Sequence, residues 1–201
     1  MLSNHPHRVD PRIKKTELRL RRALFQNLAQ APINRLSVAT ITETAGITRG
    51  TFYQHYADKD DFIDAVRHDT VTDFIAASVY SQRDDHTQIP RLHVRRALEY
   101  LRREDNGFAV LFQNDTEPFI DVLTQELTDA IMRFAVSHKR PATATLNLRD
   151  LAAVASVIDV AIFKNWVDKS SNWQADYVAH LIQEASDFAP EEGMGLREFY
   201  C

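Results

Sequence analysis

Cysteine is almost missing from this chain: the one cysteine is Cys201. A disulfide framework within the chain is therefore impossible, and a cysteine-ligated zinc site has too few ligands. Glycine is scarce as well, at five residues, fewer than the tight turns of doubly wound and barrel folds usually demand. Clear alternation of β-branched residues is hard to find. No apolar run approaches the ~18 residues that a membrane span requires. The opening MLSNHPHRVDPRIKK has no apolar segment of the kind a signal peptide carries. These absences argue for an all-α protein of the cytoplasm, with no membrane among its partners.

Catalytic signatures are missing too. There is no GxSxG, no phosphate-binding glycine loop and no HExxH. The eight histidines show no close metal-ligand spacing, and His5 and His7 fall on a polar arm. No catalytic residue, metal or cofactor is expected, and an enzyme is the weaker class of reading.

What is present begins with an ordinary balance of 44% hydrophobic and 26% charged residues over 201 positions. That suffices for a real core in one large or two small domains. The charge is uneven. Residues 1–56 hold nine basic and three acidic residues, a net of +6, whereas residues 57–201 carry a net of −10. A basic head on an acidic body suggests nucleic-acid binding at one end and a different task at the other. A solvated basic helix is the plain alternative.

The periodicity predicts about nine helices. Residues 1–10 form a polar, basic arm. Pro11 opens an amphipathic helix on which Ile13, Leu18, Leu20, Ala23, Leu24, Leu28 and Ala29 recur at three- and four-residue spacing. Ser37 caps a short helix with Val38, Ile41 and Ala45, and Gly46 sits where a helix-ending glycine belongs. Thr48 caps a second short helix, and Asp58 a long one. Residues 81–90, SQRDDHTQIP, read as a polar loop. Helices follow over about 91–105, at FAVLF after Gly107, from Pro118 to Phe134, over about 148–169 and over about 173–188. The stretch HKRPATATLN breaks the series, and the tail from Pro190 reads as loose. The domain organisation is thus an arm at 1–10, a three-helix DNA-binding domain at 11–57, a helical body at 58–189 and a tail at 190–201.

Residues 37–63 carry the function. Two helices of about seven residues that meet at a glycine turn form a helix-turn-helix. A helix so short buries little by itself, but its N-terminal end fits a major groove. Ile47, Phe52 and Tyr56 are spaced to face inward, which leaves Thr48, Arg49, Gly50, Thr51, Tyr53, Gln54 and His55 outside. Arginine suits guanine, glutamine suits adenine, and a threonine methyl suits thymine. Tyr53, His55 and Lys59 have the reach for phosphates, which set register. Lys59 also lies at a helix start, which favours an anion. Plain surface packing is the alternative for Tyr53 and His55.

The string AGITRGTFYQHYADKDDFI resembles the DNA-binding signature of the TetR family of bacterial transcriptional regulators. Ile41, Ala45, Gly46, Ile47, Gly50, Thr51, Phe52, Tyr53, Tyr56, Lys59 and Phe62 match it in type and spacing. DPRIKKTELRLRRALFQNL is similar to the opening of a branch that includes regulators of dihydroxyacetone kinase genes. Thr42, where many relatives carry alanine, is a small departure. The resemblance implies base contacts at the start of the recognition helix and phosphate contacts at its end, from Thr48, Arg49, Thr51, Tyr53, His55 and Lys59. It also implies that Ser37, Val38 and Thr40 approach the backbone. The last two helices, within AIFKNWVDKSSNWQADYVAHLI, look like the family's last two. The implied body dimerises and holds a small-molecule pocket.

The residues agree on dimerisation: a helix apolar nearly all round must be buried on more than one side. Pairing the last two helices with their copies makes a four-helix interface. Val154, Val157, Ala161, Val178, Ile182 and Ala185 are its candidates, and internal core is the alternative. Pocket candidates are Phe108, Phe112, Phe119, Leu123, Phe134, Phe163 and Trp166, with Leu111 and Ile131 beside them; plain core fits these too. Asp159 and Asn165 interrupt the apolar helix. A buried carboxylate there meets a ligand, pairs with an arginine such as Arg95 or Arg102, or faces solvent. The expected whole is a homodimeric repressor that reads a palindromic operator in double-stranded DNA, its recognition helices ~34–36 Å apart, and is released by a small-molecule effector. A TetR-like co-regulator acting through protein contacts alone is the competing reading.

Overall fold

The structure is a computed structural model and describes residues 11–84, 87–137, 144–168, 172–187 and 196–201. Among these residues it holds nine α-helices and one two-stranded hairpin. The expected arm at 1–10, part of the 138–147 break and the tail at 190–195 lie outside the described residues. The chain divides into two compact units, Met1–Val66 and Arg67–Cys201.

In the first unit, α1 (Pro11–Leu28) buries Leu20, Ala23, Leu24 and Leu28. Ile13 and Leu18, expected on the same apolar stripe, are exposed at 42% and 44%. Leu18 lies off the 20–24–28 face, and Ile13 lies two turns before Leu20, beyond the covered part of that face. Short helices α2 (Val38–Ala45) and α3 (Arg49–Tyr53) follow, and α4 (Lys59–Ser78) begins here. Asp58 Oδ1 accepts from the Asp61 amide at 2.9 Å, and Asp61 Oδ2 accepts from the Ala57 amide at 2.8 Å, a reciprocal cap for α4. The unit closes around Ile41, Phe52, Phe62 and Ile63, all buried, with the Phe52 and Phe62 rings edge to face at 5.5 Å.

The second unit takes the rest of α4, then β1 (Val79–Asp84) and β2 (Thr87–Leu92), antiparallel from Val79 opposite Leu92 to Asp84 opposite Thr87. The predicted polar loop at 81–90 is therefore a hairpin. Its sequence hid it: the segment is polar, and Pro90 argues against a strand. A two-stranded ribbon tolerates that proline because every strand in it is an edge. Helices α5 (Val94–Leu101), α6 (Phe108–Asn114), α7 (Thr116–Ala135), α8 (Leu148–Val167) and α9 (Ala175–Ala185) complete the unit. Gly107, at φ 74°, makes the left-handed turn into α6, a conformation in which a Cβ is strained. Helices α7 and α8 pack together, and the buried Thr128 hydroxyl donates to Ser156 Oγ between them at 3.0 Å.

Residues 196–201, expected to be loose, are instead built into this unit. Leu196, Phe199 and Tyr200 are buried, and Tyr200 forms a parallel bridge with Leu92 on the free edge of β2. Two consecutive aromatic residues carry more apolar surface than a solvated tail would expose, which is the physical reason for docking.

Candidate nucleic-acid interface

Three local devices hold the short helices α2 and α3. Ser37 caps α2, its hydroxyl accepting from the Thr40 amide at 3.1 Å. Thr48 caps α3 in the same way from the Thr51 amide at 3.0 Å. Between them Gly46 adopts φ 61°, ψ 41°, the left-handed conformation that glycine takes without strain. Arg19, reaching over from α1, donates to the Gly46 carbonyl at 2.8 Å and fixes the turn. Sequence reading missed Arg19; it looked like one of several basic residues on a polar face. Thr42, the departure noted above, is buried and donates to the Val38 and Ala39 carbonyls at 2.8 and 3.0 Å, so its hydroxyl costs little.

Phe52 anchors α3 inward, and Ile47 and Tyr56 are half-buried beside it. That leaves Thr48, Arg49, Gly50, Tyr53 and Gln54 exposed and Thr51 half-buried. Tyr53 is 55% exposed, unusually open for a large aromatic. On α2, Ser37 and Thr40 are exposed and Val38 half-buried. The Thr48 and Thr51 hydroxyls are 2.9 Å apart and already paired.

Two expected contact residues are placed differently. The His55 side chain is only 12% exposed, with Nδ1 3.7 Å from Glu17 Oε1, so it packs toward α1 rather than standing outside. Lys59 is half-buried, and its ammonium donates to the Leu36 carbonyl at 3.3 Å. Both follow the chain as it turns from α3 into α4 and back against the unit's own core. The free polar surface is therefore centred on Arg49, Tyr53 and Gln54.

The candidate pocket residues of the body separate into two groups. Phe108, Phe112 and Phe119 pack ring to ring at 4.9–5.4 Å, with Phe74 5.1 Å from Phe108 and Phe163 5.6 Å from Phe74. Leu123 is fully buried too, and this group is close-packed core. Trp166 donates its indole N–H to the Leu98 carbonyl at 2.9 Å under the Arg102 guanidinium, 3.6 Å from the ring. The second group is Phe134 and Asp159, which meet Phe199 and Tyr200. Asp159 pairs with neither Arg95 nor Arg102; Oδ2 accepts from the Tyr200 hydroxyl at 2.7 Å. Burial pushes the Asp159 carboxyl up to about 7, and the Tyr200 hydrogen bond partly opposes it. Asn165 is exposed, its amide donating to the Ala161 carbonyl at 3.1 Å. Nothing marked Tyr200 as the partner beforehand except the aromatic pair it forms with Phe199.

Of the interface candidates, Val154, Val157 and Ala161 are exposed on one face of α8, the two valines at 50% and 57%. Val178 and Ile182 are buried within the single chain and Ala185 is half-buried. The large apolar side chain of α9 that is open instead is Tyr177, at 52%. Among the described residues no group of three histidine, cysteine or acidic side chains is placed to hold a metal, and no helix is long and apolar enough to cross a membrane.

Residues 21–66 match the family model of bacterial regulatory proteins of the tetR family. No curated protein matches the chain. Among solved structures, a TetR family protein from Vibrio parahaemolyticus superposes with a TM-score of 0.51 at 15% identity, over 85% of this chain and 96% of that one. The TetR family repressor AlkX from Dietzia sp. strain DQ12-45-1b, implicated in biodegradation of n-alkanes, gives 0.49 at 14% identity, over 86% and 97%. At such identities the likeness of the first is one of fold.

Proposed function

We propose that this chain, whose residues 21–66 match the tetR family model, is a TetR-like transcriptional regulator and acts as a homodimeric repressor that reads a palindromic operator and is released by a small-molecule effector. The observation that carries the reading is the open face of α3. Arg49, Tyr53 and Gln54 stand free on a capped helix whose opposite side is locked by Phe52. Arg49 and Gln54 have the donor geometry for guanine and adenine edges, and Tyr53 the reach for a phosphate. The paired Thr48 and Thr51 hydroxyls present their methyl groups to thymine. Ser37 and Thr40 approach the DNA backbone, with His55 and Lys59 holding the helix rather than touching DNA.

A single recognition helix supplies little specificity, and a two-fold pair reads two half-sites one turn apart. Exposed Val154, Val157 and Ala161, spaced three and four residues apart on α8, form an apolar stripe that a second copy would cover, with Tyr177 of α9 joining it. The effector acts by preferring one packing of the body over another, and it shifts DNA affinity only by its difference in affinity for the two. The test is selection of genomic fragments by the purified protein at stated salt, with an Arg49→Ala/Tyr53→Ala control. A palindrome enriched by the wild type alone is expected. Equal enrichment by the control would refute reading through α3, and activity in cells that survives the double change would favour a co-regulator working through protein contacts.

A further inference from the structure

We propose that the space filled by the Tyr200 ring beside Asp159 is a ligand site for a small phenol-like molecule, an aromatic ring carrying one hydrogen-bond donor, with the Tyr200 side chain as its built-in occupant. Such a molecule would be the effector of the reading above, though its binding depends on the body alone, whether or not α3 reads DNA.

Asp159 lies on α8 between Ala155, Val160 and Phe163, 3% exposed. A carboxylate in such a wall is costly without a donor. The donor is a phenol: the Tyr200 hydroxyl lies 2.7 Å from Oδ2, and the Tyr200 residue is itself 4% exposed. One polar acceptor at the inner end of a ring-sized apolar slot is how a pocket selects an aromatic alcohol. Phe199 extends the aromatic lining, its centroid 4.9 Å from Tyr200 and 5.4 Å from Phe134.

The occupant is held by attachments that can exchange. Residues Leu196–Cys201 dock on the edge of β2. The Leu92 amide donates to the Phe199 carbonyl at 2.7 Å, the Cys201 amide to the Leu92 carbonyl at 3.0 Å, and the Val94 amide to the Cys201 carbonyl at 2.7 Å. Addition of a short strand to a free edge is a mode by which peptides bind reversibly. Beside this contact two buried polar atoms, Arg91 Nε and His93 Nδ1, lack a partner among the described residues, although Arg91 itself donates through Nη1 to the Glu198 carbonyl and pairs with the Glu198 carboxylate at 3.7 Å. Native interiors pair nearly all such atoms. The other ties of this segment are exposed: Arg197 pairs with Glu184 and Asp187 at 3.2 Å and the Tyr80 hydroxyl lies 3.0 Å from Cys201 Sγ, and exposed ion pairs add little to stability. A tethered occupant competes at an effective concentration on the order of mM, which a free phenol must exceed in binding strength.

Two probes test this. One is 4-methylphenol, the Tyr200 side chain cut off at Cβ; the other is toluene, the same ring without the hydroxyl. Each is titrated calorimetrically into wild type, Tyr200→Ala and Tyr200→Ala/Asp159→Leu. Binding of 4-methylphenol to Tyr200→Ala is expected to be at least about tenfold tighter than to wild type, where Tyr200 competes. It should also be about tenfold tighter than toluene, the worth of one hydrogen bond, and Asp159→Leu should abolish that preference. In wild type, saturating 4-methylphenol should accelerate hydrogen exchange at the Leu92 and Val94 amides as the strand lifts. Equal binding of the two probes to Tyr200→Ala, or none, overturns the assignment, as do wild-type Leu92 and Val94 amides that ignore 4-methylphenol. Should Tyr200→Ala not fold, Tyr200→Phe keeps the ring and removes the donor. It must then bind 4-methylphenol more tightly than wild type does, and parity overturns the proposal. None of these readouts involves DNA, so failure to find an operator leaves them intact.

Discussion

Arg67 and Asp115 form a buried, two-bonded ion pair in the body, and its removal gives a large, specific effect. Arg67, on α4, clasps Asp115, at the start of α7, with Nε 2.5 Å from Oδ2 and Nη2 2.7 Å from Oδ1. The Asp115 side chain is 2% exposed and the Arg67 side chain 14%. Two parallel charge-assisted bonds in a desolvated setting are the geometry in which such a pair matters. Arg67→Met keeps much of the stem volume but strands a buried carboxylate, at a cost of roughly 3–5 kcal/mol. That is a large part of the ~5–15 kcal/mol by which a domain is stable. Arg67→Met/Asp115→Leu removes both charges and should recover most of the loss, because a buried pair replaced by apolar groups of similar size is often near neutral. The chain's two tryptophans, Trp166 and Trp173, both lie in the second unit, so tryptophan fluorescence in urea follows the body alone. A single substitution that moves body stability by less than about 1 kcal/mol, the range of exposed pairs, would refute the argument. So would a double substitution worse than the single one.

Other outcomes follow from the same contacts. Ser37→Ala and Thr48→Ala each remove a helix cap and should cost about 1 kcal/mol, read as faster amide exchange in α2 and α3. Gly46→Ala forces a side chain into the left-handed region at about 1–2 kcal/mol. Its Cβ would also sit 2.9 Å from Arg19 Nη2, so loss of protection at the Ile47 amide is the readout. The raised Asp159 carboxyl gives a pH dependence. The folded state holds that proton more tightly than the unfolded chain, whose value is near 3.8, so this stabilisation is full below about pH 4 and is lost as pH rises through about 7. The urea midpoint of wild type should therefore fall more between about pH 5 and 8 than that of Asp159→Asn. If the two slopes match, Asp159 does not keep its proton in the folded state.

The helices were legible because their signals are local. Ser37, Gly46 and Thr48 act within a few residues of themselves, and Phe52 and Phe62 lie in one continuous motif. The sequence therefore announced α2, the turn and α3. The hairpin was hidden because strand pairing joins residues such as Val79 and Leu92, thirteen positions apart, and nothing in a polar segment with a proline declares that partner. The docking of residues 196–201 was hidden for the same reason: Asp159 and Tyr200 are forty-one residues apart. For Phe108, Phe112 and Phe119 the sequence leaves pocket and core open as alternatives, since both are apolar and only packing tells them apart. His55 and Lys59 had the right chemistry for phosphate, but their orientation depends on Glu17 and the Leu36 carbonyl, which motif spacing does not specify.

The central claim is that α3 reads bases, and base-pair substitution tests it most directly. Affinity would be measured for a selected palindrome and for each single base-pair change, with wild type and Arg49→Ala. The account predicts that wild type loses about 1–3 kcal/mol at one symmetric position which Arg49→Ala no longer distinguishes, while discrimination elsewhere persists. A uniform loss of affinity across all sequences, with discrimination unchanged, would make Arg49 a phosphate contact and contradict the account.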